Sequence, residues 1–436
     1  MLSISRLDYM RMAAGICIVV DGNPLIFFFK ETLKLAPGSS VFTAAFLALG
    51  LILMVPFTLL RKLYKPNYLA LMLSLGFLFL TLLYYFFFMS YAYTREATDL
   101  IYVAYSLIFI FLLINVPNEV LKDIVPIFIL FAIVSNFALI YSLIRDPFWH
   151  IGQRASISYS TDDDHSGNPH PFAKNALIGL IASLVWASRP KTPAYIRTLC
   201  LVSAVFNLGV QLLTLVRSSF VALALMVFIF CIFNVRMPQI RSALRMLRRP
   251  ASLFVMAIAL GVIVFFIRRN MTIYHILSGY VDTFITKNID NVYALLGMKV
   301  NNQVATFDAS SVQRTISLDF FKAVYQGHLH WLILGQGYKF IYLDIPVLEA
   351  LVNHGILGFV LFAGLNVLLL ILAIRSIRLN LHPFSTFLGY FYFYLFVVIF
   401  TNGRPYDYTF WFPYLLMSRF MGVENLLPAR LLSPNV

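Results

Sequence analysis

The sequence predicts an all-α integral membrane protein with about 12 transmembrane helices and one large loop on the outer side. Of the 436 residues, 60% are hydrophobic and 12% are charged, whereas a soluble domain carries roughly 25% charged residues. The mean hydropathy is +0.82. Apolar runs long enough to cross a bilayer recur along the chain, and because no water satisfies the backbone in lipid, these runs must be helices.

Twelve apolar segments qualify as candidate spans. They cover residues 9–29, 39–60, 67–91, 100–117, 124–145, 172–188, 196–216, 218–235, 251–267, 346–374, 384–402 and 409–421. In the first segment, the apolar stretch that follows Arg6 and Arg11 has no small-residue cleavage site after it and is interrupted at residues 21–24. A retained, broken span is therefore predicted, and not a signal peptide. With no internal repeat, residues 1–436 are predicted to form a single polytopic domain.

The distribution of Lys and Arg predicts the orientation. With the N-terminus inside, 18 basic residues lie inside and 15 outside, of which seven fall in the loop 268–345. A loop longer than roughly 60 residues is largely exempt from the positive-inside rule, so the comparison becomes 18 against 8 and places both termini inside. The outer regions are then 147–171 and 268–345, the second of which carries a helical pattern over Val312–Tyr325.

Charge and cysteine content exclude several classes of protein. The net charge is +14, but the basic residues cluster in short loops between apolar spans, so topology accounts for them and nucleic acid is not a predicted partner. Cys17, Cys200 and Cys231 all fall in predicted spans without paired spacing, which supports neither a disulfide framework nor a thiolate metal site.

Arg217 is the most informative single residue, because it separates two apolar stretches that are each long enough to span a membrane. Almost no loop remains between Ile196–Val216 and Ser218–Val235, so Arg217 is predicted at a tight turn on the outer side. The positive-inside tendency would not place an arginine there. It is therefore a candidate functional residue for an anionic substrate, with an interfacial anchor as the alternative.

Further outer charges are weaker candidates. Arg268 and Arg269 end the ninth predicted span, where a pair of arginines also serves as an anchor. Arg314 lies on the amphipathic segment, where a solvated charged face is the alternative. Arg154 lies in the first outer loop. The acidic run 162–165 in that loop is predicted to be a flexible polar stretch and not a metal site, because consecutive carboxylates cannot all face one ion.

Two motifs flank the predicted outer loops. NPHPFA, residues 168–173, combines turn-forming residues with the start of the sixth span and contains His170.

LGQGY, residues 334–338, places Gly335 and Gly337 in a tight turn before Tyr338. It does not follow a Rossmann-type strand, so it does not predict a nucleotide site. DIPVLEALVNHGILGF, residues 344–359, then supplies Asp344 and Glu349 at the start of the tenth span.

These motifs, in this order with TLVRSSFVALAL and the loop that holds Arg314, resemble the bacterial O-antigen polymerase and O-antigen ligase superfamily. The resemblance covers roughly residues 150–365. It implies the C-type glycosyltransferase fold, a location in the bacterial inner membrane with both termini cytoplasmic, and a site facing the periplasm. The implied substrate is an undecaprenyl-diphosphate-linked glycan, transferred in an inverting, metal-independent reaction without a cofactor.

One position separates the branches of this superfamily. Its ligases carry a His-Asn pair about four residues before the leucine that opens the following helix, and alignment on Leu348 puts Asp344-Ile345 there. An acidic residue at this position looks more like the polymerases, which extend the lipid-linked repeat into surface polysaccharide such as lipopolysaccharide O-antigen. The polymerase branch is favoured, the ligase is the runner-up, and a chain-length regulator is an implied partner.

The resemblance, together with the chemistry of the residues, suggests roles for the candidates. Arg217 and Arg314 would hold the diphosphate, because the planar guanidinium makes bidentate contacts with phosphate oxygens. Asp344 would act as the base, with Glu349 and His170 as other candidates. The further substrate-binding candidates are Arg154, Arg268, Arg269, His170, Gly335, Gly337, Tyr338 and Glu349.

A lipid-linked oligosaccharide transporter is the main alternative outside the enzyme class. Twelve spans and outer arginines would suit it, but transporters often show repeated halves, and no two halves of this sequence resemble each other. A structural scaffold would not require the arginine at the membrane mouth.

The substitution Arg217→Ala is expected to abolish chain extension while the protein stays folded in the membrane, because the diphosphate loses its guanidinium contacts. Arg217→Lys should rescue poorly, since a point charge cannot reproduce the fork. A surface-glycan gel from a complemented deletion strain measures the outcome, with membrane abundance as the control. Wild-type-like polymer from the alanine variant would eliminate the phosphate role.

Overall fold

The computed structural model describes residues 4–88, 96–150, 153–158, 167–189, 192–234 and 309–428, together with helical positions between 261 and 279. Within these residues the structure is helical and contains no strand, apart from an isolated bridge between Ser158 and Gly167. The chain forms two compact units. The first comprises Met1–Pro147, Arg154–Met226 and Gln313–Val436, and the second Phe148–Gln153 and Val227–Val312.

The described residues form α-helices that range from 5 to 34 residues in length. In chain order they are α1 (Ile4–Asp21), α2 (Asn23–Phe27), α3 (Ser40–Met54), α4 (Tyr68–Phe87), α5 (Ala97–Asn115), α6 (Ile124–Arg145), α7 (His170–Ala187), α8 (Ala194–Thr214), α9 (Arg217–Asn234), α10 (Ala309–Gly327), α11 (Leu329–Leu334), α12 (Pro346–Leu379), α13 (Pro383–Val398) and α14 (Tyr408–Phe420). The Ser39 and Asn67 side chains cap α3 and α4 by accepting hydrogen bonds from backbone N–H groups, as residues of this type commonly do.

Six helices of the described residues are long and apolar enough to cross a membrane: α4, α5, α6, α8, α9 and α12. A seventh is obtained if α1 and the segment Asn23–Thr32, which meet at 75°, count as one bent span. The helices α3 and α13 are apolar but shorter. The described residues thus form an all-helical structure with several membrane-type helices. The predicted ninth span, 251–267, lies largely outside the described residues, as do the basic loop 236–249 and the acidic run 162–165.

One set of loops in the first unit meets around Arg419. The Arg419 guanidinium donates to the carbonyl of Leu113 and, over 2.6 Å, to Asn118 Oδ1. The backbone N–H of Asn67 donates to the carbonyl of Ser418. We call this the Arg419 end of the unit. The topology predicted from the sequence places these loops on the same, inner side of the membrane.

A second set of loops meets at the other ends of the same helices. The backbone N–H of Tyr338 donates to the carbonyl of Phe88 at the end of α4. The Lys339 ammonium lies 2.7 Å from the Asp99 carboxylate at the start of α5. The Tyr408 hydroxyl donates to Asn23 Oδ1 at the start of α2. We call this the Arg404 end, after the arginine of the loop between α13 and α14.

A break in α12 shapes the Arg404 end. Gly355 has φ +67° and ψ −167°, a conformation that is essentially restricted to glycine, so two helical segments meet there at a kink. The kink frees the carbonyls of Val352 and Asn353, which accept hydrogen bonds from the backbone N–H groups of Gln336 (2.9 Å) and Gly337 (3.0 Å). The predicted glycine turn is therefore present, and it satisfies the broken helix.

Gly355→Ala is expected to destabilise the protein, because strain at this backbone conformation costs roughly 1–3 kcal/mol and the added Cβ would collide with the carbonyl oxygen of Ile333. Gly364→Ala is the matched control, since it lies in the same helix and an added Cβ meets nothing within 4 Å. Thermal unfolding of the detergent-solubilised variants measures both. Equal unfolding temperatures for the two variants would show that the kink does not depend on glycine.

Candidate functional site

The centre of the Arg404 end is a fully buried carboxylate, Glu349, in the first turn of α12. Its Oε2 accepts a hydrogen bond of 3.0 Å from the backbone N–H of Leu343. Its Oε1 accepts hydrogen bonds from the Tyr406 hydroxyl at 2.9 Å and from Asn353 Nδ2 at 3.3 Å. The Arg404 guanidinium lies 3.8 Å from the same oxygen. A buried charge is tolerated only with such compensation, so this network holds Glu349 and Arg404 together.

The loop between α13 and α14 positions Arg404. Gly403 adopts φ +90° and turns the chain. The Arg404 backbone N–H donates to Asp407 Oδ2 over 2.9 Å, and Trp411 Nε1 donates to the carbonyl of Pro405. Burial raises the pKa of the Asp407 carboxyl above its ordinary value, and Arg404 opposes that shift through its backbone hydrogen bond and its charge. The Arg404 side chain donates to the Tyr406 hydroxyl over 2.7 Å.

A cavity of about 380 Å³ opens at this arginine. Its lining combines cations, carboxylates, amides and aromatic rings. The lining residues are Asp21, Asn23, Phe27, Asn168, His170, Pro171, Lys174, Tyr342, Tyr394, Leu395, Val398, Asn402, Gly403, Arg404, Asp407, Tyr408, Thr409 and Phe410. We call this cavity 1. It can hold a small anionic or polar group, because cations and hydrogen-bonding groups converge on it.

The floor of cavity 1 contains a second charged pair, Asp21 and Lys174. Asp21 is 3% exposed and ends α1, where the first helix breaks before α2. The Lys174 ammonium donates over 2.7 Å to the carbonyl of Val20, which the break leaves without a helical partner, and it is near enough to interact with the Asp21 charge. Asp21 Oδ2 is buried and makes no hydrogen bond with the described residues.

A neighbouring cavity of about 310 Å³ lies on the other side of Arg404. We call it cavity 2, and it is lined by Glu96, Asp99, Tyr102, Tyr338, Lys339, Arg404, Tyr406, Asp407 and Tyr408. Arg404, Asp407 and Tyr408 line both cavities. Burial raises the pKa of the Tyr338 hydroxyl far above its ordinary value, and the neighbouring Asp99 carboxylate adds to this. Tyr338 therefore stays protonated and able to donate a hydrogen bond.

Several residues that the sequence singled out lie around these cavities. His170 lines cavity 1, where burial lowers the pKa of its imidazole to about 4 and the charge of the exposed Arg154 adds to that shift. Tyr338 lines cavity 2, and Gly335 and Gly337 form the turn that leads to it.

Asp344 lies behind cavity 1 and not among its lining residues. Its buried carboxylate accepts a hydrogen bond of 2.9 Å from the hydroxyl of Tyr342, which forms part of the cavity wall. Burial raises the pKa of Tyr342, and the Asp344 carboxylate adds to that shift. Tyr342 therefore lines the cavity, and Asp344 contacts the cavity wall through its hydrogen bond with Tyr342.

The candidate arginines of the sequence lie elsewhere in the described structure. Arg217 is half-buried and begins α9 directly after the predicted tight turn, in which Leu215 adopts φ +56°. It is not among the residues that line either cavity. Arg314 lies in α10, and its side chain is outside the described part of the chain. Arg268 and Arg269 are exposed helical positions of the second unit.

Four charged residues that line cavity 1 were not predicted: Asp21, Lys174, Arg404 and Asp407. The sequence held a signal for the first two, because each lies in a predicted membrane span, where an ionisable residue is unusual. Arg404 and Asp407 lie in the short loop TNGRPYDY between two spans, where hydropathy gives no reason to separate them from ordinary loop charges.

No family model matches this chain, and no curated protein matches it. Among the described residues, no group of three or more His, Cys, Asp and Glu side chains is placed to hold a metal ion.

Tyr406→Phe is expected to destabilise the fold by about 1–3 kcal/mol, because it leaves a buried carboxylate and guanidinium without the hydroxyl that joins them. Tyr68→Phe serves as the control, since that side chain is 60% exposed. Unfolding in detergent micelles, followed by tryptophan fluorescence, measures both. A Tyr406→Phe protein as stable as the Tyr68→Phe protein would show that the network contributes nothing to the fold.

Proposed function

We propose that this protein is a membrane glycosyltransferase that polymerises undecaprenyl-diphosphate-linked oligosaccharide repeats into a surface polysaccharide, at the periplasmic face of the bacterial inner membrane. The observation that supports this most is cavity 1. Arg404, Lys174 and His170 line this cavity together with amide and carboxylate groups, and it lies at one end of a set of membrane-type helices. The proposal also rests on the resemblance of the motifs in residues 150–365 to the O-antigen polymerase and ligase superfamily.

The cations of cavity 1 suit a diphosphate group. The guanidinium of Arg404 can contact two phosphate oxygens at once, and the Lys174 ammonium adds a compact charge. Both contacts are strengthened in a partly dehydrated pocket, because the effective dielectric constant is lower there than in water. Glu349 and Tyr406 act as positioning residues, since they hold the Arg404 side chain by the hydrogen bond of 2.7 Å and the ion pair of 3.8 Å.

The proposed transfer step uses the cations and carboxylates of cavity 1 in the following way. The hydroxyl oxygen of the acceptor sugar attacks the anomeric carbon of the donor, forming the new glycosidic C–O bond. The bond from that carbon to the diphosphate oxygen breaks, and its electron pair leaves with the diphosphate, where Arg404 and Lys174 stabilise the charge. The hydroxyl proton passes to a carboxylate. Asp21 is the candidate, because it lines the cavity and its Oδ2 accepts no hydrogen bond from the described residues.

The roles that the sequence suggested for other residues stay predictions: Arg217 and Arg314 as contacts for the diphosphate, and Arg154, Arg268 and Arg269 as substrate-binding residues. Asp344, as the base predicted from the sequence, competes with Asp21. The reaction is proposed to be inverting and independent of metal and cofactor, with both termini cytoplasmic and a chain-length regulator as partner.

A lipid-linked oligosaccharide transporter is the second candidate function. The helix break between α1 and α2 at cavity 1, with Asp21 and Lys174 among the lining residues, is a feature that transporters also use to hold substrates and ions. A ligase that transfers the finished glycan to lipid A-core is the alternative within the enzyme class.

A surface-glycan gel of a deletion strain tests the proposal. Complementation with the wild type should restore the ladder of chain lengths, whereas Arg404→Ala should give core with a single repeat, because the leaving diphosphate loses its main counter-charge. Arg404→Lys should restore the ladder only weakly. Arg375→Ala, an exposed arginine of α12, is the control and should behave as the wild type.

Other outcomes of the same gel identify the alternatives. Polymer that accumulates on undecaprenyl diphosphate and never reaches the lipid anchor would mean a ligase. Lipid-linked single repeats trapped at the cytoplasmic face of the membrane would mean a transporter. A full ladder from Arg404→Ala would remove Arg404 from the reaction.

A further inference from the structure

Cavity 2 differs from cavity 1 in its chemistry, and this difference indicates a different ligand. We propose that cavity 2 is a carbohydrate subsite that holds the terminal sugars of the acceptor chain, while the diphosphate of the donor occupies cavity 1. The assignment of these sugars to an acceptor rests on the polymerase function proposed above. The assignment of a sugar to cavity 2 rests on its own lining residues.

Tyrosines form much of the cavity wall. The rings of Tyr102 and Tyr408 lie 4.4 Å apart at 30°, and those of Tyr338 and Tyr406 lie 4.8 Å apart at 40°. Tyr338 and Tyr406 are buried, while Tyr102 and Tyr408 are half-buried. Aromatic faces pack against the C–H groups of a sugar ring, and phenol groups exchange hydrogen bonds with its hydroxyls. The cavity volume of about 310 Å³ is at the lower end of pockets that enclose small organic ligands.

The charges of cavity 2 disfavour a second diphosphate. Glu96, Asp99 and Asp407 contribute three carboxylates against the two cations Lys339 and Arg404. The Lys339 ammonium already lies 2.7 Å from Asp99 and 3.5 Å from Glu96. An added anion would meet net negative charge, whereas sugar hydroxyls can donate to carboxylates and accept from tyrosines. A neutral polyhydroxyl ligand therefore matches this lining.

The wall between the cavities places the two ligands next to each other. Arg404, Asp407 and Tyr408 line both cavities, and the Tyr408 hydroxyl donates to Asn23 Oδ1, a residue of the cavity 1 lining. A sugar seated in cavity 2 can extend a hydroxyl past this wall toward the donor. The separation also explains how one site can distinguish two substrates of similar sugar composition, because only the donor requires a diphosphate pocket.

Acceptor kinetics of the purified protein in phospholipid nanodiscs test the proposal. The donor is the lipid-linked repeat isolated from the source strain, at fixed concentration. The varied acceptor is the same oligosaccharide after removal of its lipid and diphosphate by mild acid. Tyr102→Leu should raise the acceptor KM about tenfold, which corresponds to loss of a packing face, and leave kcat within about twofold.

Three further variants make the result specific. Tyr102→Phe keeps the ring and loses only the hydroxyl, so it should raise the acceptor KM less than Tyr102→Leu does. Asp99→Asn should also raise the acceptor KM, because a charged hydrogen-bond acceptor is lost. Tyr105→Leu is the matched control on the same helix, since Tyr105 lines neither cavity, and it should leave the KM unchanged. An acceptor KM for Tyr102→Leu equal to that of Tyr105→Leu would overturn the proposal, as would a rise in the donor KM alone.

The two proposals fail in different ways. If the wild type makes no product, the polymerase function fails, and saturation-transfer NMR with the same delipidated oligosaccharide then decides the subsite. Binding by the wild type that Tyr102→Leu weakens would retain a carbohydrate site in cavity 2. No binding by the wild type would overturn the carbohydrate site as well.

Discussion

The arrangement of the Arg404 end depends on one backbone constraint, the break of α12 at Gly355. In a membrane-type helix a freed carbonyl has no water to bind, so another part of the chain must supply a donor. The turn 335–337 supplies two backbone N–H groups to the carbonyls of Val352 and Asn353. Because this turn is fixed, Tyr338 reaches α4 and Lys339 reaches Asp99, and the following segment brings the Leu343 N–H to Glu349. The hydrogen bond to the buried carboxylate and the part of the cavity 2 wall formed by Tyr338 and Lys339 follow from that docking.

Buried Arg419 and half-buried Arg404 show how differently the same side chain is used. Arg419 is 1% exposed, and a backbone carbonyl and Asn118 Oδ1 accept its hydrogen bonds beside the rings of Tyr64 and Phe420. These contacts join helices and face neither cavity. Arg404 instead balances Glu349 through Tyr406 and lines both cavities. Ionisable groups inside membrane proteins are costly and usually mark a pathway or a site. Arg404 fits that description, because Glu349 balances its charge and its side chain lines both cavities.

Most of the helices in the described residues could be anticipated from local sequence. Apolar runs and the single arginine between two long apolar stretches predict where α3, α4 and α9 begin, and the structure adds that Ser39 and Asn67 cap α3 and α4. The breaks were harder to predict. The residues 21–24 did indicate an interruption of the first span, but the glycine at 355 gave no warning of a kink within the tenth. Hydropathy measures how a segment partitions into lipid, and a kink whose carbonyls are satisfied elsewhere leaves that property unchanged.

The sequence by itself determined that this is a helical membrane-type chain, and it placed His170, Tyr338 and Glu349 in the segments that surround the site. Only the tertiary structure decided which partners the charged side chains meet. Glu349 and Tyr406 are 57 positions apart, and Lys174 and Val20 are 154 positions apart. Such pairs depend on which helices pack together and on how far each loop folds over a helix end. Local sequence periodicity encodes neither the helix packing partners nor the positions of the loops, because an apolar helix face can pack equally well against lipid or against a neighbouring helix.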